Sequence, residues 1–229
     1  MKTQEAYMES SVQILATYSP GVSLVETMRL VKESGKRMLS NKEADAMLQN
    51  NELRKKYYDL FPCRTGTMLI SVAADQPFKE YAKFYGLVFD IPKKFQSMTN
   101  KALVIEHPHW TLEEFKYEVN EPYGEHKINT LLKVRAEEKY ITAIDFPKED
   151  GWYRPDETFG VPNGRPSNSL DLQARKLYRV DGGDYIGPLV RWDVSWGGYD
   201  DRRGVDCLGW PDDGRGVGVV EPQAKPSSK

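Results

Sequence analysis

The chain has 229 residues, 39% of them hydrophobic, which suits a globular protein with a substantial core rather than a disordered one. Its 32 Lys and Arg against 34 Asp and Glu leave a formal charge of −2, so it lacks the basic footprint that binding to phosphate backbones requires, and nucleic acid is excluded as an expected partner. No window reaches the ~18 apolar residues of a membrane span, and the opening "MKTQEAYMES" has no apolar signal core. Neither membrane insertion nor export by a secretory signal is expected; a cytoplasmic place and a place on a virion or cell surface both stay open.

Residues 1–60 read as a helical lead. In "VSLVETMRLVKESGKRML", Val22, Val25, Met28 and Val31 recur at helical spacing. A second helix begins at Ser40, which makes a capping box with Glu43, and "NKEADAMLQNNELRKKYYDLF" continues it until Pro62. From residue 61 the pattern changes. "TMLISVA", "YGLVFDI", "KALVIEH", "FKYEV" and "KYITAIDF" are short β-rich runs, several of them separated by turn residues, so the fold class is α+β with a strand-dominated main domain over 61–221 and a polar tail over 222–229. A third composition starts at "KEDGWYRPD". Four of the five tryptophans lie from there on, while Lys becomes rare after Lys148.

Three groups of residues invite chemistry. "EHPHWTLEE" sets His107, His109 and Glu113 in the order in which cupins supply metal ligands, the core of an alternative reading as a metal-dependent enzyme. Thr111 and Glu114 make a second capping box, which predicts a helix after the histidines and leaves them in its approach. Cys63 and Cys207 read as two widely separated thiols, with a disulfide as the alternative; no local base marks Cys207 as a nucleophile. The Asp pairs in "DGGD" (181–184) and "PDDGRG" (211–216) fit turns better than a calcium site, because Asp and Gly are the residues of tight connections. No cofactor is expected.

The third group is the aromatic and polar crowd in "RWDVSWGGYDDRRGVDCLGWPDDGRGVGVV", residues 191–220. Rigid aromatics beside short polar residues compose a recognition surface. An internal network bracing a Gly-rich domain end has the same composition.

The run from "GWYRPDETFGVPNGRPSN" through "ARKLYRV" to "YIGPLVRWDVSWGGYDDRRGVDCLGWPDDGRGVGVV" resembles the C-terminal half of the C-type lectin fold. The likeness is to the branch shared by formylglycine-generating enzymes and the variable proteins of diversity-generating retroelements, and within it to archaeal and viral variable proteins. The resemblance implies a strand like "LVRWDVSW" before a loop, an Arg-containing strand after it, and "GVGVV" as the strand that closes the fold. It also implies a diversified ligand-binding face at the domain end, written by random copying of template adenines. An AAC or AAT codon so copied yields Tyr, Asp, Ser, Gly and several others, but never Lys, Glu, Gln, Met or Trp.

Over residues 178–220 there is no Lys, Glu, Gln or Met. At average usage such a gap arises on the order of once in several thousand windows, which fits adenine-directed copying; a packed Gly-rich fold end accounts for it as well. The implied diversified positions are Asp193, Ser195, Gly197, Gly198, Tyr199, Asp200, Asp201, Asp206, Cys207, Leu208, Asp212 and Asp213. Trp192, Trp196, Arg203 and Trp210 are then the scaffold beneath them. The pattern departs from two relatives of that fold. Cys207 stands alone where formylglycine-generating enzymes need a late cysteine pair, and "EPY" (121–123) and "RWD" (191–193) are poor stand-ins for calcium-lectin triplets. The expectation is calcium-independent binding of a protein or other macromolecule at the C-terminal face. A viral structural or assembly protein is a further alternative, and the oligomeric state stays open.

Overall fold

A computed structural model describes residues 12–16, 23–57, 63–73, 75–84, 86–120, 126–171, 173–178, 184–191, 204–206 and 216–220. The chain is mixed α+β and mostly strand. Its first described strand, β1 (Gln13–Ala16), leads to helix α1 (Leu24–Ser34), strand β2 (Arg37–Met38), and helices α2 (Asn41–Gln49) and α3 (Asn51–Lys56). The reading of residues 1–60 as helical is therefore corrected, because β1 and β2 both pair with the last strand, β15 (Gly216–Val220). These two strands are four and two residues long and are specified by their partner rather than by local pattern.

Local chemistry sets the helix limits. Ser23 caps α1 by accepting from the Glu26 N–H at 3.2 Å, and Gly35 ends it at φ 67°, a left-handed conformation that glycine adopts without a Cβ penalty. The buried face of α1 is Leu24, Thr27 and Val31, whereas Val25, expected on the apolar stripe, is 45% exposed. The Ser40–Glu43 capping box is present in both directions: the Ser40 hydroxyl accepts from Glu43 N–H and the Glu43 carboxylate accepts from Ser40 N–H. The expected single second helix is broken at Asn50, whose side chain accepts from the Glu52 and Leu53 N–H groups and starts α3 afresh.

The larger sheet runs β1–β15–β3–β13–β14–β12–β10–β11, with β6 and then β9 branching from β3. Here β3 is Cys63–Ser71, β6 Lys101–Glu106, β9 Thr142–Asp145, β10 Gly151–Pro155 and β11 Pro162–Pro166; β12 is Arg175–Tyr178, β13 Tyr185–Arg191 and β14 Gly204–Asp206. A smaller sheet has the order β4 (Tyr81–Phe84), β5 (Leu87–Asp90), β8 (His126–Ala136), β7 (Trp110–Asn120). All nine residues of β3 are buried, as expected of a central strand covered on both faces. Met68, Leu69 and Ile70 belong to the main core with Trp110, Phe89 and Ile186; Cys63 belongs to a second core with α2 and α3 residues such as Met47 and Leu53.

The predicted helix after the histidines is a strand instead. Thr111 and Glu114 lie in β7, which pairs along its whole length with β8, Trp110 opposite Ala136 through to Asn120 opposite His126. Spacing alone does not distinguish a cap from a strand, and here the cross-strand partner decides. Among the described residues no helix is long and apolar enough to cross a membrane.

Candidate functional site

The C-terminal stretch is framed by four neighbouring strands. Arg191, the last residue of β13, pairs with Cys63 of β3 on one side and with Val205 of β14 on the other. Gly216, the first residue of β15, pairs with Cys63 from the far side of β3. The chain thus leaves β13 after Arg191, enters β14 at Gly204 and enters β15 at Gly216 at one end of the order β14–β13–β3–β15, whereas β14, antiparallel to β13, runs away from that end to Asp206. Three strand spacings of about 4.8 Å put the whole opening at roughly 14 Å. Asp206 closes β14 opposite Val190. Asp193, Ser195, Gly197, Gly198, Tyr199, Asp200, Asp201, Cys207, Leu208, Asp212 and Asp213 lie outside the described residues, as do Trp192, Trp196, Arg203 and Trp210. Of the possible cysteine pair, only Cys63 is described, and it is buried.

What holds this frame is polar as well as apolar. Pro188 interrupts the ladder of central strand β13, and between the pairs Pro188–Met68 and Val190–Arg64 the register shifts. The Leu189 carbonyl at this irregularity accepts from the Thr65 hydroxyl at 2.9 Å, and the Pro188 carbonyl from the Tyr185 hydroxyl at 2.9 Å. On the β3 side the same irregularity contains Gly66, whose N–H donates to the Leu39 carbonyl at 2.5 Å and whose carbonyl accepts from the Trp110 indole N–H at 2.7 Å. A Cβ there would meet the Cβ atoms of Met38 and His107 at 3.0 Å, so the close approach requires glycine. Beside β14, Arg175 of β12 makes a two-pronged bond with Asp45 of α2, Nε to Oδ1 at 2.5 Å and Nη2 to Oδ2 at 2.8 Å, tying helix to sheet.

The residues of the metal-enzyme reading are engaged separately. His107 Nδ1 accepts from the Met38 N–H at 3.2 Å, which leaves the ring proton on Nε2 of the neutral imidazole, and the ring meets Trp110 edge-on at 5.6 Å. Burial, with the charges of Arg37 and His109 behind it, pushes its pKa down to about 4. His109 stacks on Tyr140 at 3.6 Å, and Glu113 pairs with Arg135 of β8 at 2.6 Å. Among the described residues no group of three His, Cys, Asp or Glu is arranged to hold a metal. Of the turn aspartates, Asp184 accepts from the Ala73 N–H at 3.0 Å and fastens the entry of β13.

A polar cluster that the sequence did not announce lies next to His107. Asn41 N–H donates to the Thr67 hydroxyl at 2.8 Å, and that hydroxyl donates to Glu106 Oε1 at 2.7 Å. Burial, opposed by the Thr67 bond but reinforced by the charges of Glu43 and Asp156, raises the Glu106 pKa to about 7. Glu43 differs in spite of its own burial, because the Arg37 guanidinium, bonded at 2.7 and 2.5 Å, holds its carboxyl below the usual range. Asp156 accepts from the N–H groups of Thr158, Phe159 and Val161, and the loop so shaped offers the Phe159 and Gly160 carbonyls to the Asn41 side-chain amide. Four segments distant in sequence meet here, and only the S-x-x-E spacing at Ser40 was visible beforehand. An open cavity of about 390 Å³ lies nearby, between the edges of β9 and β11, with Lys101, Asp145, Asp156 and Arg165 among its walls.

No protein-family model, no curated protein sequence and no solved structure matches the chain.

Proposed function

We propose that the chain is a calcium-independent ligand-binding protein of the C-type lectin fold, in the branch of formylglycine-generating enzymes and retroelement variable proteins. Its binding face is built on residues 191–220, and its ligand is a protein or other macromolecule. The observation that carries this reading is the convergence of Arg191, Gly204 and Gly216, where the chain leaves β13 and enters β14 and β15, on one end of four adjacent strands. The strand order agrees with it: β13 precedes the first candidate segment, β14 separates the two, and β15 closes the sheet between β1 and β3. A surface searched by sequence change needs a carrier whose own stability does not depend on what is changed. Leu189, Val190, Val219 and Val220, which are fully buried, anchor β13 and β15 on either side of β3, and of the candidate positions only Asp206, opposite Val190, belongs to the frame.

The deciding experiment is sequencing of the gene's neighbourhood. The reading expects a near-identical second copy of the segment encoding 191–220 and a reverse transcriptase gene close by, the copies differing almost only at template adenines and within the codons of Asp193 through Asp213. A neighbourhood with neither removes diversification from the reading. Differences spread evenly over all bases do the same.

A further inference from the structure

The hairpin of β7 and β8 outruns its sheet. β8 pairs with β5 only at Leu132 and Lys133, so the six outer pairs, from Phe115–Leu131 to Asn120–His126, have no third strand among the described residues. At about 3.4 Å per residue this two-stranded ribbon is roughly 20 Å long. Such a ribbon is marginal alone in water, and among the described residues no strand pairs with its outer edge on β7, which leaves backbone groups there for another strand.

The sequence along that edge, "EEFKYEVN" (113–120), is complementary to itself in one antiparallel register. Pairing centred on Lys116 sets Lys116 against Lys116 and Glu114 against Glu118. Centring on Glu118 sets Glu118 against itself. A centre at Phe115 matches Glu114 with Lys116 but places Leu112 opposite Glu118, and Glu113, already bonded to Arg135, opposite Tyr117. Of these centres Tyr117 gives the best match over β7: Lys116 faces Glu118 twice by symmetry, Phe115 faces Val119 twice, Tyr117 faces Tyr117 and Glu114 faces Asn120, with Glu113 opposite Glu121 beyond the strand's end. Opposite charges and apolar pairs directly across antiparallel strands stabilise the pairing, and like charges oppose it.

We propose that the chain forms a two-fold dimer by antiparallel pairing of β7 with the β7 of a second copy, centred on Tyr117. The two hairpins join into a continuous β8–β7–β7–β8 sheet. The interface is isologous, so one pattern of charges serves both copies.

The test is sedimentation of the full chain over a concentration series, with circular dichroism melts as the folding control. The native chain should pass from monomer to dimer. Lys116→Glu and Glu118→Lys should each weaken association by on the order of tenfold or more, and the double variant should regain it because the pairs are merely reversed. In a Cys207→Ser background, Tyr117→Cys should give a reducible covalent dimer, whereas Lys116→Cys should not, since only residue 117 faces its own copy. A native chain that stays monomeric at the highest concentration overturns the proposal. So does a dimer indifferent to both charge reversals, or a cross-link through residue 116 instead of 117. The cysteine pair keeps the test decisive if a charge reversal prevents folding.

Discussion

Glu106 and His107 are adjacent, both largely buried, and shifted in opposite directions, which has a measurable consequence for stability. Glu106 has its pKa raised from 4.5 to about 7, so the folded state holds that proton more tightly than the unfolded chain does. Its contribution is full below pH 4.5 and is lost as pH rises to about 7. His107 has its pKa lowered from 6.5 to about 4, so its contribution is full above pH 6.5 and is lost as pH falls to about 4. Each shift is worth about 3 kcal/mol, at roughly 1.4 kcal/mol per pH unit. Between pH 4.5 and 6.5 the two slopes cancel, and the pair leaves stability nearly flat. Glu106→Gln keeps an acceptor for Thr67 and removes one slope; its unfolding free energy, from urea titrations at closely spaced pH values, should rise with pH across that window by about 3 kcal/mol. His107→Asn keeps an acceptor for Met38 N–H and should show the mirror image, falling by a similar amount. Parallel profiles for both variants and the parent would refute the opposed-shift reasoning.

Two further perturbations test the frame of the site. Gly66→Ala should cost about 1–3 kcal/mol in chemical denaturation, because the added Cβ meets Met38 and His107 and a bulged backbone has little room to yield. Asp45→Ala should cost about 3–5 kcal/mol by removing the two-pronged partner of buried Arg175, whereas Asp75→Ala, which breaks an exposed pair with Lys148, should stay within about 0.5 kcal/mol; thermal or urea melts that rank them equally would show that burial of the pair is not what matters.

What the sequence made legible is local. The β-rich runs at "TMLISVA", "KALVIEH" and "YGLVFDI" became β3, β6 and β5 because their apolar residues suit a buried strand, and Ser40 caps α2 because everything it needs lies within three residues. Thr111 shows the limit of the same rule. It has Glu114 at the capping distance, yet Arg135 sits opposite it on β8, and eleven cross-strand pairs outweigh one potential cap. β1 and β2 escaped notice because too few residues carry their pattern. The Glu106 cluster was illegible for a different reason: Asn41, Thr67, Glu106 and Asp156 have no common spacing and are neighbours only after α2 docks on the sheet.

The last strand among the described residues is not at the rim of its sheet. β15 sits between β1 on one side and β3 and β2 on the other, with Val219 and Val220 fully buried. During synthesis β1 and β2 therefore wait for residues 216–220, and this part of the sheet cannot close until translation has read through the whole segment before Gly216. A nonsense codon or frameshift anywhere in that segment deletes β15 and exposes β1, β2 and one edge of β3 together. The position of the strand thus acts as a reading-frame check: a gene copy altered by substitution can still yield a complete sheet, and one altered by a stop or a shifted frame yields a chain that proteases and chaperones meet unfolded.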